Sequence, residues 1–328
     1  MDVVIVYNQV ENRDTVGLEA ADDTVICAQK IQAELTKLGV SARLFKLTNG
    51  SIPLLEKLKT DVFFNLAWGI GEDEESEEKV ITLLRKTKIP ITGSYEDTVK
   101  ITSNKKQTKN VLKKAGIKVP QDYIYSGGKL NLPPSKLNFP FIVKPAGEDC
   151  SLGITGKSVV YTFKTLLLRV KEAWEEFNEP ILIEEYIEGR ELNVSVLEDG
   201  SSTKVLPISE IVFGPYFSHR PHIVDYEAKW NSTSVRYKQT KGVCPAKLPK
   251  EIEKKVSKIA LCAYKIIGCR NYARVDIRLN KEGEIYVLEV NSNPAIGPSD
   301  GLARSAAAVG LSYSDLLMKV LRGATHLR

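Results

Sequence analysis

The chain has 328 residues, 43% of them apolar and 27% charged, with a net charge of +5 spread along its length. That balance describes a folded chain of two or three domains and excludes a disordered or low-complexity one. No run of about 18 apolar residues occurs, "MDVVIVYN" has neither the basic segment nor the cleavage site of a secretory leader, and no basic cluster alternates with aromatics. A cytoplasmic protein acting on small anionic molecules is therefore expected, without membrane or nucleic-acid partners. The five cysteines (Cys27, Cys150, Cys244, Cys262, Cys269) form no C-x-x-C pair, which fits reduced thiols. His219 and His222 in "HRPH" are too few ligands for a zinc site.

The first hundred residues alternate as strand "DVVIVYN", helix "DDTVICAQKIQAELTKLG", strands "ARLFKL" and "DVFFNL", and helix "EEKVITLLRKTK". This order predicts an α/β layer on a doubly wound parallel sheet. No G-x-G-x-x-G follows the first strand, so a dinucleotide fingerprint is absent. The acidic run "GEDEESEEK" reads as a solvated helix N-terminus, where carboxylates complement the macrodipole. A lysine-rich helix, "SNKKQTKNVLKKAG", precedes the Pro- and Gly-dense "VPQDYIYSGGKLNLPPSKLNFP", which reads as loops at a domain transition.

Strand "FIVKP" then leads into the glycine-spaced turn "AGEDCSLGITG", strand "KSVVYT" and helix "FKTLLLRVKEAWEEF". "ILIEEYIEGRELNVSVLEDG" reads as two strands around an acidic connector, and "YARVDIRLNKEGEIYVLEVN" as a hairpin; helix "SYSDLLMKVLRG" closes the chain. The expected division is an N-terminal α/β domain over 1–95, a central lobe over 96–180 and a C-terminal lobe over 181–328.

The hairpin carries the strongest chemical signal. Ala273, Val275, Ile277 and Leu279 form its apolar face, and Pro294 ends the second strand soon after Glu289 and Asn291. A turn centred on Lys281 and Glu282 sets Asp276 opposite Val287 and puts Arg274, Asp276, Glu289 and Asn291 on one face. Oxygen-only ligands at cross-strand spacing suit Mg²⁺, although such a face can also be a solvated Arg–carboxylate pair. Lys144, at a strand end before a glycine-spaced loop, has the form of a phosphate site, and Lys105 could reach the same phosphates. The strand end at Glu184 to Ile187 offers peptide groups to a planar base, and Glu191 a carboxylate to ribose hydroxyls.

In this order, "SNKKQTKNVLKKAGI", "FPFIVKPAGEDCSLGI", "ILIEEYIEGREL", "DYEAKW", "YARVDIRL" and "LEVNSNPAIGPSDGL" resemble the ATP-grasp superfamily, and within it the D-alanine:D-alanine ligase group over nearly the whole length. The resemblance implies a two-lobed ATP-grasp fold after the N-terminal domain and an ATP-dependent carboxylate–amine ligase working through an acyl phosphate. By the same resemblance Lys105 and Lys144 contact the ATP phosphates and Ser151 belongs to a lid over them. Glu184, Glu185 and the backbone through Ile187 hold adenine, Glu191 the ribose, and Lys229 the γ-phosphate. Asp276, Glu289 and Asn291 bind two Mg²⁺ (or Mn²⁺), Arg274 and the Ala295 N–H form an oxyanion hole, and the chain is a homodimer.

Departures from the pattern gather at the amino-acid pocket. "YNQVENRDTVGLEAADD" replaces a "GG-x-S-x-E" stretch, with Asp22 the nearest carboxylate. Cys150 stands at a usual serine, Trp230 at a usual tyrosine, and "FNLAWGIGEDEE" replaces a histidine–glycine stretch. "NPAIGPSDGL" replaces "SPG-M-T-x-x-SL", which displaces to Ser299, or removes, the serine that holds the second substrate's carboxylate. A ligase for another amino-acid pair, a phosphotransferase and an ATP-binding protein remain alternatives on the same fold.

Overall fold

The computed structural model describes residues 1–9, 18–71, 77–130, 138–148, 150–200 and 202–326, with the backbone alone for 18–21. Strand β1 (Asp2–Tyr7) lies between β2 (Ser41–Lys46) and β3 (Val62–Asn65), all parallel. Its alternate residues face opposite ways. Val3 and Ile5 pack with α1 (Leu18–Lys37), while Val4 and Val6 pack under α2 (Ile52–Leu55) and α3 (Glu77–Lys86). Burial on both faces explains why "VVIV" is continuously apolar. Residues 10–17 and 72–76, which hold the middle of the replaced N-terminal stretch and most of the acidic run, lie outside the described residues; α3 does open on Glu77 and Glu78.

Helices α4 (Glu96–Thr102) and α5 (Lys105–Lys114) follow, α5 capped by the Asn104 side chain accepting from the Gln107 amide at 2.9 Å. Next comes an antiparallel sheet in the order β4-β7-β5-β6, from β4 (Asp122–Tyr125), β5 (Phe141–Pro145), β6 (Val159–Val160) and β7 (Ile181–Glu185). Helix α6 (Phe163–Phe177), started by a Thr162/Thr165 capping box, covers it. Strand β4 was hidden by the Pro and Gly around it; Tyr123 and Tyr125 pack edge-on against Phe141 and Trp174. Strand pairing carries this sheet through Glu185, past the expected division at 180.

The C-terminal sheet runs β11-β10-β8-β12-β13, with β9 (Thr203–Val205) also paired to β8 (Arg190–Glu198). The other members are β10 (Ser209–Phe213), β11 (Thr240–Val243), β12 (Tyr272–Leu279) and β13 (Ile285–Asn291). The short helices α7 (Tyr226–Trp230) and α8 (Val235–Lys238) connect β10 to β11, and α10 (Gly301–Ala307) and α11 (Tyr313–His326) follow β13. Helix α9 (Lys250–Ile267) is a further element that the sequence reading passed over, although Val256, Ala260, Ala263, Tyr264 and Ile267 carry a helical period. It packs on Leu192, Val194, Val196, Ala273, Val275 and Ile277, so one face of the sheet is core. Among the described residues no helix is long and apolar enough to cross a membrane.

The hairpin register differs from the expected one. Asp276 lies opposite Glu289, not Val287, which pairs with Ile277. Two causes add. The turn pairs Leu279 with Ile285, one residue longer than a turn centred on Lys281 and Glu282, and a β-bulge inserts Leu288 into β13. Without the bulge Asp276 would oppose Leu288 and Glu289 would point into the core; with it, Val287 stays buried and Glu289 turns to the polar face. Ile277 backs this step from the core side, fully buried. Ile277→Ala should cost about 2–5 kcal/mol of stability, read as a lower midpoint in urea unfolding.

Candidate active site

Opposite the α9 face, the same sheet presents a polar surface in rows fixed by strand pairing. Ser209, Asn193, Asp276 and Glu289 form one row across β10, β8, β12 and β13; Ser195, Arg274 and Asn291 form the next, and Glu191 pairs with Arg278. Arg274 donates from Nε and Nη2 to the two Asp276 oxygens, each at 2.8 Å. Asn193 Nδ2 donates to Asp276 Oδ1 at 2.7 Å, and Asn291 Nδ2 to Asp276 Oδ2 at 3.1 Å and Glu289 Oε1 at 3.3 Å. The expected set of four is thus brought together.

Two neighbouring carboxylates, Asp276 buried and Glu289 half-buried, cannot both ionise freely. Burial pushes Asp276 up, only partly offset by Arg274. Burial alone would also raise Glu289, but its hydrogen bond with Asp276 and the charges of Lys105, Lys144 and Arg274 pull it down to about 2. Among the described residues no three His, Cys, Asp or Glu side chains converge as a metal centre. A cation at the pair would complete its shell with ligand oxygens and water, and with Asn291 Oδ1 once that amide turned over, which is an arrangement suited to Mg²⁺.

Two lysines, one of them the Lys144 expected at the phosphates, are arranged around Glu184. Its carboxylate is buried and lies between Lys144, 3.3 Å away on β5, and Lys109 of α5, which is 1% exposed. Glu184 therefore does not offer a free carboxylate to adenine; it positions lysines. Burial lowers Lys109, and the charge of Lys144 adds to that, whereas for Glu184 burial pushes upward and the two lysines outweigh it and hold the carboxyl down. Lys109 was missed by sequence reading. The available signal was its place beside Thr108 and Leu112 on the buried face of α5. Lys105 reaches the Glu148 carbonyl at the lid.

The expected base-binding edge is narrower than a run from Glu185 to Ile187. The Glu185 amide donates to Gln121 O and the Tyr186 amide to Pro140 O, at 2.8 and 2.9 Å, while no protein acceptor among the described residues takes that of Ile187. Glu191 is ion-paired at 2.7 Å with buried Arg278, which also donates to Gly189 O and His222 O. Burial raises the Glu191 carboxyl, and Arg278 opposes that rise. A ribose hydroxyl would meet a carboxylate already oriented by arginine.

The loop that carries Cys150 and Ser151 is fastened to the α7 segment. Ser151 Oγ donates to Val224 O at 2.8 Å, Trp230 Nε1 to Cys150 O at 3.1 Å, and the Tyr226 amide to Ile154 O at 3.1 Å. Cys150 and Ser151 hold φ values of 56° and 66°, the left-handed region that side chains seldom adopt. Lys229 is exposed, 5.0 Å from the Trp230 ring centre. Ala295 and Ser299 are exposed in the turn after β13, where Asp300 accepts from the Gly297 amide at 2.6 Å. Burial raises Asp300, and the nearby charge of Asp23 on α1 raises it further.

The pairing of Glu184 has a pH signature. Its carboxyl is lowered in the fold, so its stabilisation is present above the unfolded value of about 4.3 and is lost as pH falls through the folded one. Glu184→Gln should lower the thermal midpoint at pH 7, with the gap to the unmutated chain closing below about pH 4.

A family model described as D-ala D-ala ligase C-terminus matches residues 112–322. The D-alanine–D-alanine ligase of Bordetella pertussis is 32% identical over 308 residues, covering 92% of this chain and 90% of that protein. That of Bordetella avium is 30% identical over 299 residues, covering 90% and 88%. The crystal structure of Bacillus anthracis D-alanine–D-alanine ligase complexed with ATP superposes with a TM-score of 0.76 at 27% identity, covering 98% of this chain and 97% of that one. The VanG D-Ala:D-Ser ligase of Enterococcus faecalis shares the fold, with a TM-score of 0.72 at 19% identity over 98% of each chain. With the sheet surface, lid and lysines in place, the chain belongs to the D-alanine:D-alanine ligase family of ATP-dependent ligases with the ATP-grasp fold.

Proposed function

We propose that this chain uses ATP and Mg²⁺ to join two amino acids, with D-alanine the first candidate for each, and that it acts as a cytoplasmic homodimer in the supply of peptidoglycan precursors. The observation that carries the reading is the Asp276–Glu289 pair, set side by side by the bulge with Lys105 and Lys144 acting on Glu289. Within the proposal the chain divides after residue 95 and again after Glu185, where the central sheet ends.

The donor carboxylate attacks the γ-phosphate of ATP, and ADP leaves an acyl phosphate. Lys105 and Lys144 balance charge on the phosphates, Lys229 meets the γ-phosphate from α7, and Ser151 with its neighbours shields the site from water. The Ile187 amide and Glu191 hold base and ribose. Mg²⁺ or Mn²⁺, as two ions held by Asp276, Glu289 and Asn291, would supply further charge neutralisation at the phosphates. The acceptor amine then attacks the acyl carbon; the C–N bond forms, the amine loses a proton and phosphate departs. Arg274, which keeps Nη1 beyond its two bonds to Asp276, and the Ala295 N–H stabilise the tetrahedral oxyanion.

In this reading Cys150, Trp230 and Asp22, with Asp23 beside it, belong to the amino-acid side, where the sequence departs from the family pattern; the Trp230–Cys150 bond and the charge of Asp23 on Asp300 support it. These departures favour, as a second reading, ligation of a pair other than two D-alanines. Phosphate release measured against a panel of D- and L-amino acids, with products identified by mass, separates the two. Glu289→Gln and Asp276→Asn should each lower turnover at least roughly tenfold, a barrier increase of about 1.4 kcal/mol. Unchanged ATP turnover in both would overturn the metal assignment. Chelation by EDTA should abolish turnover and added Mg²⁺ restore it.

A further inference from the structure

Arg304 stands in α10 beside the reacting centre, yet neither ATP nor the metal ligands need it. Its Nε donates to Ser209 Oγ at 3.0 Å, and Ser209 is fully buried in the same sheet row as Asn193, Asp276 and Glu289. Its guanidinium lies against the bare backbone of Gly242 in β11, where a Cβ would fall 2.3 Å from Cζ. The side chain is therefore pinned by a hydrogen bond and by a surface that only glycine leaves open. Gly301 separates it from the oxyanion arginine: a Cβ there would lie 3.6 Å from Arg304 Nη2 and 3.9 Å from Arg274 Cδ.

The guanidinium feels the charge of Asp300 at the start of α10 but makes no ion pair with it. Among the described residues no carboxylate forms an ion pair with it, and its other contact, Nη1 to Ser299 O, is long at 3.5 Å. Ser299 itself is exposed and turns only its carbonyl toward Arg304, so it does not replace the displaced serine. Ser209 lies two strand spacings from Asp276, about 10 Å, with Asn193 in the same row between them, so Arg304 and the carboxylate pair flank the same polar surface.

We propose that Arg304 receives the carboxylate of the amine-bearing substrate, taking over from the serine hydroxyl that the family pattern carries after its metal ligands. A guanidinium fork held in place loses little freedom on binding and pairs with both oxygens of a carboxylate. The acceptor is then an amino acid or a larger amine with a carboxylate near the amine, and its selection is separate from activation of the donor. This inference rests on the ligase reading above.

The test uses the full chain with D-alanine as donor and three acceptors: D-alanine, D-alaninamide, which lacks the carboxylate, and hydroxylamine, which captures the acyl phosphate as a hydroxamate and needs no acceptor pocket. The unmutated chain should prefer D-alanine to D-alaninamide. Arg304→Met should raise the acceptor KM roughly 10- to 100-fold, the worth of a charged hydrogen bond pair, and erase that preference while hydroxamate formation and the KM for ATP hold. Arg304→Lys should keep part of the preference. An unmutated chain that uses D-alaninamide as well as D-alanine overturns the proposal, whether or not the methionine variant folds. So does an unchanged acceptor KM in Arg304→Met with normal hydroxamate formation. Failure of the unmutated chain to form any hydroxamate from D-alanine instead overturns the choice of D-alanine as donor, and the inference with it.

Discussion

One inserted residue, Leu288, sets the chemistry of this protein. Strand β13 must bury Ile285, Val287 and Val290 against α9 and also show Glu289 and Asn291 to the cleft, which strict two-residue alternation forbids. The bulge changes the parity between Val287 and Glu289, so core and site each receive the side chains they need. The cost is a locally broken ladder, and the return is a pair of carboxylates in direct cross-strand contact on a rigid sheet. A loop could bring the same groups together, but with less positional certainty.

The second organising feature is a cluster of lysines around one buried carboxylate. Lys109 and Lys144 share the single buried carboxylate of Glu184, and Lys105 stands nearby at the lid. Burying such a cluster is unfavourable unless something anionic completes it. The electrostatic field is therefore prepared before a polyanion arrives, and the Glu289 carboxylate stays ionised in it. Glu191 repeats the pattern on the other side of the cleft, with Arg278 fixing its direction. In both cases a carboxylate that stands out in the sequence proves to be held by basic residues far away in the chain, Lys109 and Lys144 for Glu184 and Arg278 for Glu191.

How much of this was legible follows from the range of each interaction. Local patterning exposed the parallel N-terminal sheet, helix α6 and the β12–β13 hairpin, because each declares itself through neighbours a few residues apart. The polar set Arg274, Asp276, Glu289 and Asn291 was legible by the same logic, and its register was not, since neither turn length nor a bulge leaves a clear mark on alternation. Lys109, Arg278 and Arg304 went unseen because their importance comes from partners 75, 87 and 95 positions away in sequence. Glu184 was seen but misjudged: as a carboxylate it looked like a ligand contact, and only burial between two lysines reveals it as a support. Family resemblance supplied the roles of lid and oxyanion hole that no periodicity could.

The fastening of the lid bears on how the pocket can diverge. Trp230 grips residue 150 by its main-chain oxygen, and Ser151 in turn grips the main-chain oxygen of Val224. Whatever side chain stands at 150, provided it tolerates a left-handed backbone, leaves that latch intact. The side chain at 150 can thus change without loosening the main-chain latch between this loop and α7, so the chemistry offered there is free of the architecture that holds it.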